Sequence, residues 1–169
     1  MKVSPYLIFN GNCMEAIKLY EKAFNTKAIG ICQYKDTPPI EGMPPMPGEV
    51  AELVMHSILP IGNSVIYLCD TTPDKPTTFG NGSFSCVELG NAEDVKAAFE
   101  ILKEGGKVFC EAQETFWNKC YAEFEDKFGL KWTIMIDEEC TCSDECASGY
   151  NPDCTCTATA CNCREMPHK

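Results

Sequence analysis

Tyr6–Phe24 reads YLIFNGNCMEAIKLYEKAF and Phe84–Gly106 reads FSCVELGNAEDVKAAFEILKEGG; the second stretch repeats the grammar of the first. A short apolar run, Tyr6 to Phe9, meets Gly11-Asn12, a helix-start signal, and Glu15 follows three residues on, where it completes a capping box. Met14, Ile17, Tyr20 and Phe24 then recur at helical spacing and define one apolar face. In the second stretch a strand ends at Leu89, Gly90-Asn91 caps, Asp94 takes the Glu15 position, and Val95, Ala98, Phe99 and Leu102 form the face. Gly105-Gly106 ends that helix as a left-handed C-cap does. An offset of 79 residues lays Gly11 on Gly90, Asn12 on Asn91, Glu15 on Asp94, Tyr20 on Phe99 and Glu21 on Glu100.

The correspondence continues beyond the helices. Each is followed by a strand (KAIGICQY, GKVFCEAQ), an irregular stretch, and a hairpin. The first hairpin turns at Pro60-Ile61-Gly62-Asn63 and the second at Asp126-Lys127-Phe128-Gly129, with Gly and Asn supplying the backbone angles such turns need. The expected fold class is therefore α+β, two tandem β-α-β-β-β modules with pseudo-twofold packing of two four-stranded sheets. The expected boundaries are a first module at 1–70, a linker at 71–82, a second module at 83–137 and a Cys-rich tail at 138–169. Residues 1–137 are expected to fold without the tail.

These motifs resemble the vicinal oxygen chelate superfamily of glyoxalases, bleomycin-resistance proteins and dioxygenases, and more narrowly its PhnB-like branch. The resemblance spans residues 3–136, and its most specific part is ETFWNKCYAEFEDKFGLKWTI, Glu114 to Ile134. It implies a homodimer and a cleft between sheets. In metal-dependent relatives that cleft holds an ion on His, Glu or Gln from the outer strands. The matching positions here are Pro5 or Tyr6, Ile66 or Tyr67, Ser83 or Ser85, and Thr133; none is a usual ligand. The only histidines are His56 and His168, so no metal is expected in the barrel. Some family members bear a ubiquinone methyltransferase label, but no strand here runs into a Gly-rich nucleotide loop.

Strand alternation through AELVMHSIL puts Glu52, Val54, His56 and Ile58 on one side. His56 has two readings: a hydrogen-bonded structural residue, or a catalytic base or ligand contact in the cleft beside Tyr67, Asp70 and Trp117. Trp117 reads as core or pocket, and Trp132, alternating with apolar residues, as core. Asp36–Glu49 holds five of the eleven prolines and is a surface linker or a lid with Met43 and Met46 as apolar contacts.

The net charge of −11 excludes nucleic acid and anionic membrane surfaces as partners, since phosphates are met by clustered Lys and Arg. No apolar run approaches the roughly 18 residues of a span, and the expected location is cytoplasmic. Thiols stay reduced there, so the thirteen cysteines are not a disulfide framework. Cys13, Cys32, Cys69, Cys86, Cys110 and Cys120, scattered among apolar residues, read as small buried hydrophobes. Cys140, Cys142, Cys146, Cys154, Cys156, Cys161 and Cys163 cluster in polar sequence that cannot fold by burial. Their Cys-x-Cys pairs suit an irregular thiolate cluster for Zn or another soft metal, or opportunistic metal capture. The leading function is a metal-independent small-molecule binder; the alternative is an isomerase, lyase or thiol transferase with His56 as base.

Overall fold

The structure is a computed structural model and describes residues 3–38 and 47–137. The first module runs β1 (Tyr6–Phe9), α1 (Cys13–Ala23), β2 (Ile29–Gln33), a 3₁₀ turn (Tyr34–Asp36), the short helix α2 (Gly48–Ala51), β3 (Val54–Ile61) and β4 (Ser64–Asp70). The second runs β5 (Ser85–Leu89), α3 (Ala92–Leu102), β6 (Lys107–Gln113), β7 (Tyr121–Glu125) and β8 (Lys131–Ile136). Each module is one four-stranded sheet, ordered β1-β4-β3-β2 and β5-β8-β7-β6. Only β1–β4 and β5–β8 are parallel, because the helix returns the chain to the far edge before the hairpin enters beside the first strand. The expected tandem β-α-β-β-β fold is what the chain adopts.

Both helices lie on the same layer of the molecule, α1 against α3, with one core between them and the sheets. Phe9, Tyr20, Phe99, Phe124 and Trp132 are its largest side chains. Burial of a large apolar side chain stabilises by about 1.5–3 kcal/mol, so this shared layer dominates the docking of the modules. The face expected for α3 is the buried one, Val95, Ala98, Phe99 and Leu102. On α1 the buried set is Cys13, Ala16, Ile17 and Tyr20, one position round from the expected stripe, because α3 covers that flank.

A buried carboxylate pins the two modules together. Asp126, at the β7–β8 turn, accepts from Tyr20 Oη at 2.7 Å and Trp132 Nε1 at 2.9 Å, and from the backbone N–H groups of Phe128 and Leu130. Burial raises its pKa, and these four donors oppose the rise. Gly106 lets the end of α3 pass close to this turn: a Cβ there would stand 2.0 Å from Glu125 O.

Several expectations need correction. Val54 does not share the side of His56; it is fully buried, because a register shift between β2 and β3 rotates the start of β3. Of the six body cysteines, Cys13, Cys69 and Cys120 are buried, whereas Cys32 and Cys110 are half-buried and Cys86 is exposed. The last three sit on sheet faces turned away from the helices. The Pro-rich stretch ends in α2, which begins at Gly48 inside the expected linker. Met43, Met46 and the seven tail cysteines lie outside the described residues.

Candidate functional site

Sheet pleating gives each strand a helix-facing and an open side. Along β4, Leu68 and Asp70 turn to the helices, leaving Tyr67 and Cys69 on the open face. The register Tyr6↔Tyr67, Ile8↔Cys69, Ile58↔Tyr67 and Cys32↔His56 brings those residues onto the same face. There His56 and Tyr67 lie 5.7 Å apart between ring centroids, Tyr6 stacks on Tyr67 at 5.8 Å, and Tyr6 and His56 are 6.4 Å apart. Three rings on three adjacent strands form a triangular cluster, with Tyr6 contributed by the edge strand β1. Burial, then a side-chain hydrogen bond with Cys69, pushes the Tyr6 phenol up to about 12, so it remains a protonated donor. Burial likewise holds the Cys69 thiol above its ordinary range and unreactive.

The other residues expected beside His56 go elsewhere. Asp70 is 3% exposed and faces the helices, with Oδ1 accepting from Gly11 N and Cys13 N and Oδ2 from Val54 N, each at 2.9 Å. Its carboxylate is committed to backbone, and its expected place in the cleft is corrected on that ground. Trp117 lies in the β6–β7 loop of the second module, packed edge-on against Phe116 and Tyr121 and 45% exposed, so it is no core residue. Tyr67 alone joins His56 as expected. The alternation of Tyr6 with Leu7 and Phe9 could have found Tyr6; nothing local could have found Cys32, whose position depends on the β2–β3 register.

The open face of the second sheet is different in kind. Cys110 pairs with Glu123 and Cys86 with Thr133 across the strands, Tyr121 Oη donates to Glu123 at 2.9 Å, and Gln113 Nε2 donates to Cys110 Sγ at 3.2 Å. Among the described residues no three His, Cys, Asp or Glu side chains converge to hold an ion. Between the edge strands β1 and β5 runs a groove of about 370 Å³ bordered by Tyr6, Ile8, Phe79 and Phe84. A wider one of about 760 Å³ continues beside the β3–β4 hairpin, past Ile66, Phe84, Cys86 and Glu88.

Comparison with known proteins agrees with this architecture. Residues 1–135 match the model of the family described as 3-demethylubiquinone-9 3-methyltransferase. Protein YjdN of Escherichia coli (strain K12) is 28% identical over 141 residues, covering 80% of this chain and 95% of that one. The crystal structure of protein PA1353 from Pseudomonas aeruginosa superposes with a TM-score of 0.70 at 27% identity, covering 80% and 97%. A PhnB protein from Bacillus cereus, titled a putative 3-demethylubiquinone-9 3-methyltransferase, gives 0.65 at 20% identity, covering 80% and 99% and so bearing on the fold alone.

Proposed function

The chain belongs to the family described as 3-demethylubiquinone-9 3-methyltransferase, a PhnB-like branch of the vicinal oxygen chelate superfamily, and from that premise we propose a metal-independent small-molecule-binding protein whose ligand contacts His56 and Tyr67. The observation that carries this reading is that, among the described residues, His56 has the Tyr6 and Tyr67 rings and the paired Cys32 for neighbours and no ion pair with an acid. A histidine acting as base is usually oriented by a carboxylate. Asp70, the acid expected beside it, spends both oxygens on backbone N–H groups, and Glu52, four residues from His56 in sequence, pairs with Lys35. That favours binding over the rival isomerase, lyase or thiol transferase with His56 as base.

Neither group implied by the relatives fits. A divalent ion between the sheets would meet Tyr6, Tyr67, Ser85 and Thr133, which are not a ligand set for it. A nucleotide-borne methyl donor needs free N–H groups at a strand-to-helix turn. At the start of α1, Gly11 N and Cys13 N are already bonded to Asp70. No step is derived through either group.

The protein is proposed to work as a homodimer. Ile29 and Ile31, on strand β2 away from the groove, are each more than 40% exposed, apolar surface of the kind a second copy covers. Sedimentation velocity at micromolar concentration checks this. No described helix is long and apolar enough to cross a membrane. The seven tail cysteines are proposed to carry Zn or another soft metal, and native mass spectrometry with and without residues 138–169 checks that.

The central test is a thermal-shift screen of metabolites and antibiotics, with and without chelator, on the natural protein and His56→Gln. Chelator-insensitive stabilisation that His56→Gln weakens about 10-fold or more is expected, the scale of losing one hydrogen-bond partner to a polar ligand. A shift that appears only with a divalent ion would overturn the reading.

A further inference from the structure

The ring cluster and the groove beside it meet at one residue, Tyr6. Its ring stacks on Tyr67 and lies 6.4 Å from His56. Among the described residues no strand lies beyond β1 in its sheet, and the side chain is 51% exposed where it borders the 370 Å³ groove. Phe84, immediately before β5, lines the same groove from the second sheet and is 40% exposed. Two aromatic side chains thus border a slot of a size that small planar ligands occupy. Thr77, Thr78, Ser83 and Ser85 are also in its lining, and among the described residues no acid is.

Charge at the rim is the second, independent observation. Lys131 Nζ sits 5.6 Å from the Phe84 ring centroid and 6.0 Å from that of Phe109, and Lys107 Nζ lies 5.4 Å from Phe109. Both lysines face Glu125 across strand β7, with Glu123 farther along the same face, so the cationic ends near Phe84 are those of Lys131 and, by way of Phe109, Lys107. In a chain of net charge −11, two ammonium groups held over neighbouring aromatic rings are a specific arrangement.

We propose that the groove between β1 and β5 binds a planar aromatic anion, its ring stacked on the free face of Tyr6 against Phe84 and its acid group directed to Lys131. This rests on the small-molecule-binding reading above and gives a ligand a chemical class, placed on the far side of Tyr6 from His56 and Tyr67, which do not line the groove. The stack prefers flat rings over saturated ones of equal size, and the lysines prefer a carboxylate over a neutral alcohol.

The test is isothermal titration calorimetry of the full chain with 2-naphthoate, its saturated counterpart decahydro-2-naphthoate, and the neutral 2-naphthalenemethanol. Binding of 2-naphthoate is expected to exceed the saturated acid by about 2- to 10-fold, the scale of one aromatic stack. Tyr6→Leu should abolish that preference, and Tyr6→Phe, which keeps the ring, should retain it. Lys131→Gln should weaken 2-naphthoate about 2- to 5-fold, as an exposed ion pair does, and leave 2-naphthalenemethanol unchanged. Circular dichroism of each variant keeps misfolding apart from lost binding. Equal affinity for the flat and saturated acids, or a Tyr6→Leu protein that binds both as before, overturns the proposal. If 2-naphthoate fails to bind while other compounds stabilise the protein through His56, the groove assignment falls and the binding function stands. If nothing in the screen or this series binds, both fall.

Discussion

The two modules share a topology and solve the same local problem, how to begin the helix, by different means. In the second module the solution is local. Asn91 is extended, and its Oδ1 accepts from Asp94 N at 2.8 Å, the ordinary side-chain cap. In the first, Asn12 makes no side-chain cap bond; Asp70, far along the chain on β4, reaches across to Gly11 N and Cys13 N and also holds Val54 N at the start of β3. One carboxylate thus joins the helix start to two strands. The backbone bends accordingly, with Gly11 at φ +91 while its repeat partner Gly90 has no such angle and open space around it. A repeat in sequence therefore fixes the order of elements without fixing the bonds that hold them.

Breaking the two helix starts separately should expose the difference. Asp70→Ala leaves three buried or part-buried backbone donors without their acceptor and should cost about 3–5 kcal/mol in denaturant unfolding, at about 1–3 kcal/mol per orphaned group with partial rescue by water. Asn91→Ala, which removes one local cap, should cost about 1 kcal/mol. Equal losses at the two positions would show that the modules are held alike after all.

Tyr20→Phe tests the pin between modules. It removes one hydrogen bond to the Asp126 carboxylate and leaves the other three donors in place, so a loss of about 1–3 kcal/mol is expected. The transition should stay single in differential scanning calorimetry, because the aromatic core around Trp132 still joins the modules. Splitting into two transitions would mean that the carboxylate, more than the shared core, makes the halves one unit.

The smallest single effect is expected within the repeated glycine pair, at Gly90. Gly11→Ala must hold an L residue in left-handed backbone and should cost about 1–2 kcal/mol, although the nearest atom to its Cβ, Leu53 Cδ2 at 3.7 Å, is in ordinary contact. Gly90→Ala should stay within about 0.5 kcal/mol of the natural protein or stabilise it, since nothing lies within 4 Å. Thermal melts of the pair measure how far the repeat has diverged; matching losses would deny the divergence.

The sequence alone was enough for the order of elements, the two modules and the apolar face of α3, because periodicity and turn chemistry are local signals that survive without knowledge of packing. It placed Trp132 in the core and Tyr67 with His56 for the same reason. Tertiary structure decided the rest. Asp70 is as polar as any ligand contact, and only the docking of α1 on β3 and β4 shows that its charge serves the backbone. Trp117 parts from His56 because the loop carrying it follows the second sheet. Cys32 comes to His56 through a register shift, and Tyr6 joins the ring cluster because β1, an edge strand among the described residues, pairs with β4 in the register Tyr6↔Tyr67. Which side chains share a face is set by pairing across strands distant in sequence, and that pairing is a property of the whole packed chain.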